Sequence, residues 1–75
     1  MTNNTVKDDV ITETPYHRAV SGPRLVHGRE AIGLTQTRFA ELAGWTQQYQ
    51  CLLELPGLHE VTIDTAVTIK KILQK

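Results

Sequence analysis

Three glutamines, Gln36, Gln47 and Gln48, are the residues of this chain best suited to specific chemistry, and that chemistry is recognition rather than catalysis. A glutamine amide donates and accepts at once. It can therefore make paired contacts with a partner that does the same, such as the N6 and N7 edge of adenine. On an exposed face the same amides would otherwise be solvated polar residues. No catalytic set stands beside them. The chain has no glycine-rich phosphate loop, no helical histidine motif for a metal, and no nucleophile beside a base in a recognisable context. Cys51 has nothing behind it in the local sequence that would activate a thiol, and it reads as a small packing residue. His17, His27 and His59 are too scattered to suggest a metal site. An enzyme is disfavoured at this length, and nothing in the sequence calls for a cofactor.

Seventy-five residues allow one small domain. Such a chain buries only about 60% of the surface that its unfolded form exposes, so its core is marginal. One cysteine excludes an internal disulfide framework. No apolar run approaches the roughly 18 residues that span a bilayer, and the polar start lacks a signal-peptide core, which makes the cytoplasm the expected compartment. Eight basic residues balance eight acidic ones. That neutrality weighs against a protein held to nucleic acid by bulk positive charge. The zero is nevertheless a sum over unlike regions. Lys7 against Asp8, Asp9 and Glu13 leaves residues 1–14 at −2, and residues 15–75 carry +2.

The elements that would position the glutamines are helical. Residues 1–20 read as a flexible polar arm, in which Thr14-Pro15 could cap a short helical turn through Ala19 or Val20. Residues 21–75 read as the domain. The spacing predicts a first helix from about Pro23 to Ile32, stopped by Gly33. A second follows the capping residue Thr35 and ends at Gly44, with Phe39, Ala40, Leu42 and Ala43 on one face. A third runs from Thr46 to about Glu54. Residues 55–60 are a loop marked by Pro56-Gly57. A fourth helix follows Thr62, with Asp64 in its first turn and Lys70, Lys71 and Lys75 near its end. Val61-Thr62-Ile63 is too short and too well capped to be a strand. The expected fold is all-α.

Two short helices meeting at Gly44 must cross steeply, which is the geometry of a helix-turn-helix. Ala40 is small where the helices approach, and Leu53 is apolar where the second helix packs back. The run Gly33-Leu34-Thr35-Gln36, followed by Phe39-Ala40-Glu41-Leu42-Ala43-Gly44-Trp45-Thr46-Gln47-Gln48, resembles the Cro/C1-type (Xre-type) helix-turn-helix domains of phage repressors and bacterial regulators. The similarity covers about Arg24 to Leu73. It implies a compact four-helix, lambda-repressor-like domain that reads the major groove with the helix at about 46–54. It also implies a structural ion pair between Arg29 and Glu54, and a phosphate-clamping role for Gln36.

By the same register Gln47, Gln48 and Leu52 face the groove. Thr46 is first a cap, and Tyr49 either reaches a phosphate or is half-buried. Arg38, with Arg18 and Arg24, is a candidate backbone contact. The chain departs from the family pattern at several places. Gly28 replaces a helical Leu or Ile and would leave room for Trp45, itself expected in the core. Gln50 replaces a buried Ile or Val, so either its amide finds partners or the helix is rotated, with Tyr49 or Cys51 inward. The sequence ends without the fifth helix common in the family. The expected function is a sequence-specific transcriptional regulator, a repressor by preference, acting on double-stranded DNA as a homodimer through Leu55, Leu58 and Val61. The alternative is a helix-turn-helix protein-interaction module, such as an antitoxin or anti-repressor adaptor, with a protein partner.

Overall fold

The computed structural model of the protein describes residues 10–14 and 17–74. In chain order the elements are β1 (Ile11–Glu13), β2 (Arg18–Ser21), α1 (Gly22–Ala31), α2 (Gln36–Ala43), α3 (Gln47–Leu53), β3 (Leu58–Glu60) and α4 (Ile63–Leu73). The four helices lie where capping and periodicity place them. Thr35, Thr46 and Thr62 are N-caps whose hydroxyls accept from the backbone N–H three residues on, at Arg38, Tyr49 and Thr65. Ser21 does the same for α1, which starts at Gly22 rather than Pro23.

The fold is not all-α. β1, β2 and β3 form an antiparallel sheet in that order, with Ile11 opposite Val20 and Val20 opposite His59. Two expectations are thereby corrected. The stretch assigned to the arm holds two strands, and residues 18–20 belong to β2 rather than to a helical turn. The expected cap at Pro15, and the first nine residues of the arm, lie outside the described residues. Likewise the loop after α3 contains β3, just before the Val61-Thr62-Ile63 segment. The physical reason is burial at period two. Ile11 and Val20 share one sheet face and are buried, while Thr12 and Ala19 share the other. A lone hairpin is marginal in water, and packing against helices supplies what it lacks.

Val20, Leu25, Phe39 and Ile69 are fully buried and, with Ile11, Leu53 and Ala66, form one core between the sheet and the helices. Burying each large apolar side chain stabilises the fold by about 1.5–3 kcal/mol. Trp45 lies at the border of this core, partly buried. Gly28 faces Leu73 of α4 and Val10 rather than Trp45. A Cβ there would stand 3.4 Å from both terminal carbons of Leu73 and 3.8 Å from Val10. Among the described residues no helix is long and apolar enough to cross a membrane, and no cluster of His, Cys, Asp and Glu could hold a metal ion.

Candidate functional site

The turn between α2 and α3 is set by Gly44, whose φ of +87° is a left-handed conformation that a Cβ would strain. Its N–H and that of Trp45 both bond the Ala40 carbonyl, at 2.8 and 3.0 Å, closing α2. Ala40 itself is buried. α3 then packs Gln50 and Leu53 inward, and its C-cap Glu54 follows them. Gln47, Gln48, Cys51 and Leu52 face outward, with Leu52 58% exposed. α3 carries no charged residue.

Gln50 is fully buried, and its amide finds partners; the helix is not rotated. The Trp45 indole N–H donates to Gln50 Oε1 at 2.8 Å, and Gln50 Nε2 donates to Glu54 Oε2 at 2.7 Å. Trp45 and Gln50 occupy the positions just before the N-cap and four residues after it. An apolar pair usually packs there to fix the entry of the chain into the helix. A hydrogen bond performs that task in this chain. The spacing of these two residues about Thr46 is a signal that sequence alone could have offered.

Glu54 is the hub. Arg29 Nε reaches Glu54 Oε2 at 2.7 Å, and Arg29 Nη2 reaches Oε1 at 3.1 Å, a forked pair tying α1 to the end of α3. Arg29 Nη1 also donates to the Leu34 carbonyl at 2.8 Å, which holds the α1–α2 connection. The ion pair implied by resemblance is thus present, with side chains only 10% and 4% exposed. Burial pushes the Glu54 carboxyl up, but hydrogen bonds from Arg29, Gln36 and Gln50 and the charge of Arg29 outweigh it and hold it below its ordinary value of 4.5. A carboxyl depressed by folding stabilises the native state above its unfolded pKa, and that contribution is lost as pH falls through the folded one. The stabilisation from Glu54 is therefore expected to be fully present and unchanged with pH near neutrality, and the thermal midpoint to fall on acidification below about 4.5. A midpoint that rises on acidification through that range would contradict this.

Gln36 does not stand free as a clamp. Its Nε2 donates to Glu54 Oε1 at 2.9 Å, and its Oε1 accepts from Gln47 Nε2 at 3.3 Å. Gln47 and Gln36 are therefore brought together, while Gln48 extends into solvent. Thr46 serves as the cap of α3. Tyr49 is half-buried and meets Trp45 edge-on, with ring centroids 5.2 Å apart. It also lines a cleft of about 520 Å³ with His17, Arg18 and Thr62. α3 is thus flanked by α2 on the Gln47 side and by the sheet on the Tyr49 side. Arg38 is held at the surface by Glu41, 3.1 Å away, a pair too exposed to matter much for stability. Leu55 and Leu58 are 47% and 65% exposed at the opposite end of α3 from these amides, and Val61 is half-buried.

No family model matches the chain, and neither a curated protein nor a solved structure matches it.

Proposed function

We propose that the protein is a sequence-specific DNA-binding regulator that places α3 in the major groove. The observation that carries this reading is the outward face of α3, where the uncharged amides of Gln47 and Gln48 project from a helix held by α2, by the Gly44 turn and by the buried Arg29–Glu54 pair. An exposed, rigidly mounted helix with donor–acceptor side chains suits the reading of base edges. With little net charge, affinity comes from neutral groups and from shape, and salt dependence is shallow. On a selected duplex, Gln47→Ala or Gln48→Ala weakens binding about tenfold or more, since each paired amide contact discriminates by about 1–3 kcal/mol. Unchanged binding in both variants would remove the reading.

One such domain covers few base pairs, so useful affinity calls for a two-fold dimer. β3 is an edge strand. The bonds from Val61 N to Arg18 O, 2.9 Å, and from Gly22 N to Gly57 O, 3.0 Å, leave the backbone groups of Leu58 and Glu60 facing away from β2. Exposed Leu55 and Leu58 adjoin this edge. Dimerisation there predicts that Leu58→Asp shifts sedimentation toward the monomer; a parent protein that is already monomeric at all concentrations contradicts it.

A specific observation favours a second reading, a protein-interaction module. Leu52 is exposed beside Cys51 in the middle of the outward face of α3, where an apolar contact with a protein partner would cover it. Failure to enrich any sequence from random DNA would favour this second reading.

A further inference from the structure

We propose that two copies of the chain join through β3 in a single register, which sets His59 against the partner's His59 on the two-fold axis, and that protonation of this histidine pair releases the dimer. The inference rests on dimerisation at the β3 edge, and it adds the register and the regulation of that interface.

The register follows from the edge itself. His59 lies opposite Val20 in the β2–β3 ladder, and the bonds from Val61 N to Arg18 O and from Gly22 N to Gly57 O flank that pair. Hydrogen-bonded pairs alternate along an antiparallel ladder, so His59 turns its backbone groups toward β2. Within β3, Leu58 and Glu60 each offer an N–H and a C=O to a further strand. A two-fold antiparallel neighbour has few choices. Leu58 opposite the partner's Leu58 would set Glu60 against the partner's Pro56, which has no N–H. Glu60 opposite the partner's Glu60 would place like charges face to face, which destabilises a cross-strand pair. Leu58 opposite the partner's Glu60 uses every offered group of both strands. In that register the two His59 residues form a non-hydrogen-bonded pair, the closer kind, with Cα atoms about 4.5 Å apart.

Both rings then lie on one face of the joined sheet. His59 shares the helix-side face with Val20, and it is half-buried. Its Nε2 stands 2.7 Å from the Leu55 carbonyl oxygen. A carbonyl only accepts, so Nε2 carries the hydrogen and donates. Proton uptake falls on Nδ1, in a ring that the Leu55 bond holds in place. The carboxylates around β3 are engaged elsewhere. Glu60 lies on the opposite face and meets His17 at 2.8 Å. Arg18, on the helix-side face of β2, pairs with Glu13 at 3.3 Å, and Glu13 also holds Lys70 at 3.2 Å. Glu54 is filled by Arg29, Gln36 and Gln50. Tyr49 lines the cleft at the Val61 end of the strand, and Asp64 follows in the first turn of α4. Two imidazolium rings side by side repel each other, so the dimer holds fewer protons than two separate chains. It is favoured above the histidine range and weakened as pH falls through that range.

The test compares the unmodified chain with His59→Gln and His17→Gln, which remove one titrating ring each. Sedimentation is measured at about pH 8 and about pH 5.5, on either side of the histidine range. The dimer of the unmodified chain should weaken at least about tenfold at the lower pH, since two adjacent charges repel by more than the energy that a tenfold change represents. His17→Gln should follow it, and His59→Gln should associate equally at both values. A dimer of the unmodified chain that ignores pH, or a His59→Gln dimer that still dissociates in acid, overturns the switch. The register is read separately, in a Cys51→Ser background with a mild oxidant at the higher pH. His59→Cys should cross-link readily, because Cα atoms about 4.5 Å apart suit a disulfide. Leu58→Cys should cross-link slowly, because its counterpart lies beyond the roughly 7 Å that a disulfide can bridge. Faster linking through Leu58→Cys overturns the register. An unmodified chain that is monomeric at both pH values removes the dimer reading together with this inference, whereas any other contrary result removes this inference alone.

Discussion

Glu54→Ala lowers the thermal midpoint far more than Glu60→Ala does. The two carboxylates differ in what their loss leaves behind. Glu60 meets His17 at 2.8 Å, but the two side chains are 75% and 67% exposed, and an exposed pair contributes roughly 0–1 kcal/mol. Removing Glu54 strands the Arg29 guanidinium at 10% exposure and deprives the Gln36 and Gln50 amides of their acceptor. Breaking one partner of a buried, hydrogen-bonded ion pair costs about 3–5 kcal/mol. In a domain of this size each kcal/mol moves the midpoint by about 4–8 °C. Such a loss is a large part of the whole stability of a small domain. Circular dichroism on both variants checks it, and equal midpoints would show that the hub does not hold α1 to α3.

Gly22→Ala is the second severe substitution, for a different reason. Gly22 opens α1 directly after β2, beneath the segment that leaves α3. A Cβ built on it would lie 1.8 Å from the Leu55 carbonyl oxygen and 2.7 Å from the Leu55 carbonyl carbon. Both are backbone atoms, so no side-chain rotation relieves the contact. The Gly22 N–H also bonds the Gly57 carbonyl, at 3.0 Å, so moving the loop outward breaks the link that aligns β3 with β2. Overpacking a close-packed site costs typically 1–3 kcal/mol, and a clash with the Glu54–Leu55 backbone puts this variant at the upper end, about 3 kcal/mol. Denaturant unfolding of Gly22→Ala beside Gly28→Ala gives the comparison. At Gly28 the nearest atoms are the flexible ends of Leu73, at 3.4 Å, and the variant is expected to stay close to the parent. A Gly22→Ala midpoint equal to that of Gly28→Ala would contradict the close approach.

How much of this was legible in the sequence depends on the range of the interactions involved. Thr35, Thr46 and Thr62 cap helices through bonds spanning three residues, and Gly44 closes α2 within its own turn. Such signals are local and can be read along the chain. The strands could not be read that way. Leu58-His59-Glu60 has no β-branched residue, and it becomes a strand because β2 lies beside it, some forty residues earlier in the chain. Ile11 and Val20 are separated by polar and turn-forming residues that resemble an unstructured arm until the core buries both.

The site divides along the same line. Arg29 and Glu54 were paired by resemblance, and their spacing of 25 residues carries no local signal. Gln50 posed a dilemma that its composition could not resolve, because the donor that satisfies its oxygen is an indole before the helix. Gln36 was expected to face a phosphate, and within the chain its nitrogen bonds the buried Glu54 carboxylate, a partner 18 residues away that no local pattern announces.

Neutral composition first argued against nucleic acid, and its meaning now rests on α3. If α3 reads bases through uncharged amides, specificity exceeds non-specific attraction by a wide margin even in a protein of zero net charge. Selection from a randomised duplex pool with the unmodified chain, sequenced after successive rounds at moderate salt, tests this most directly. The predicted result is a short two-fold-related site with adenine-rich half-sites, whose enrichment disappears with Gln47→Ala. A pool that stays random through every round would contradict the account at its centre.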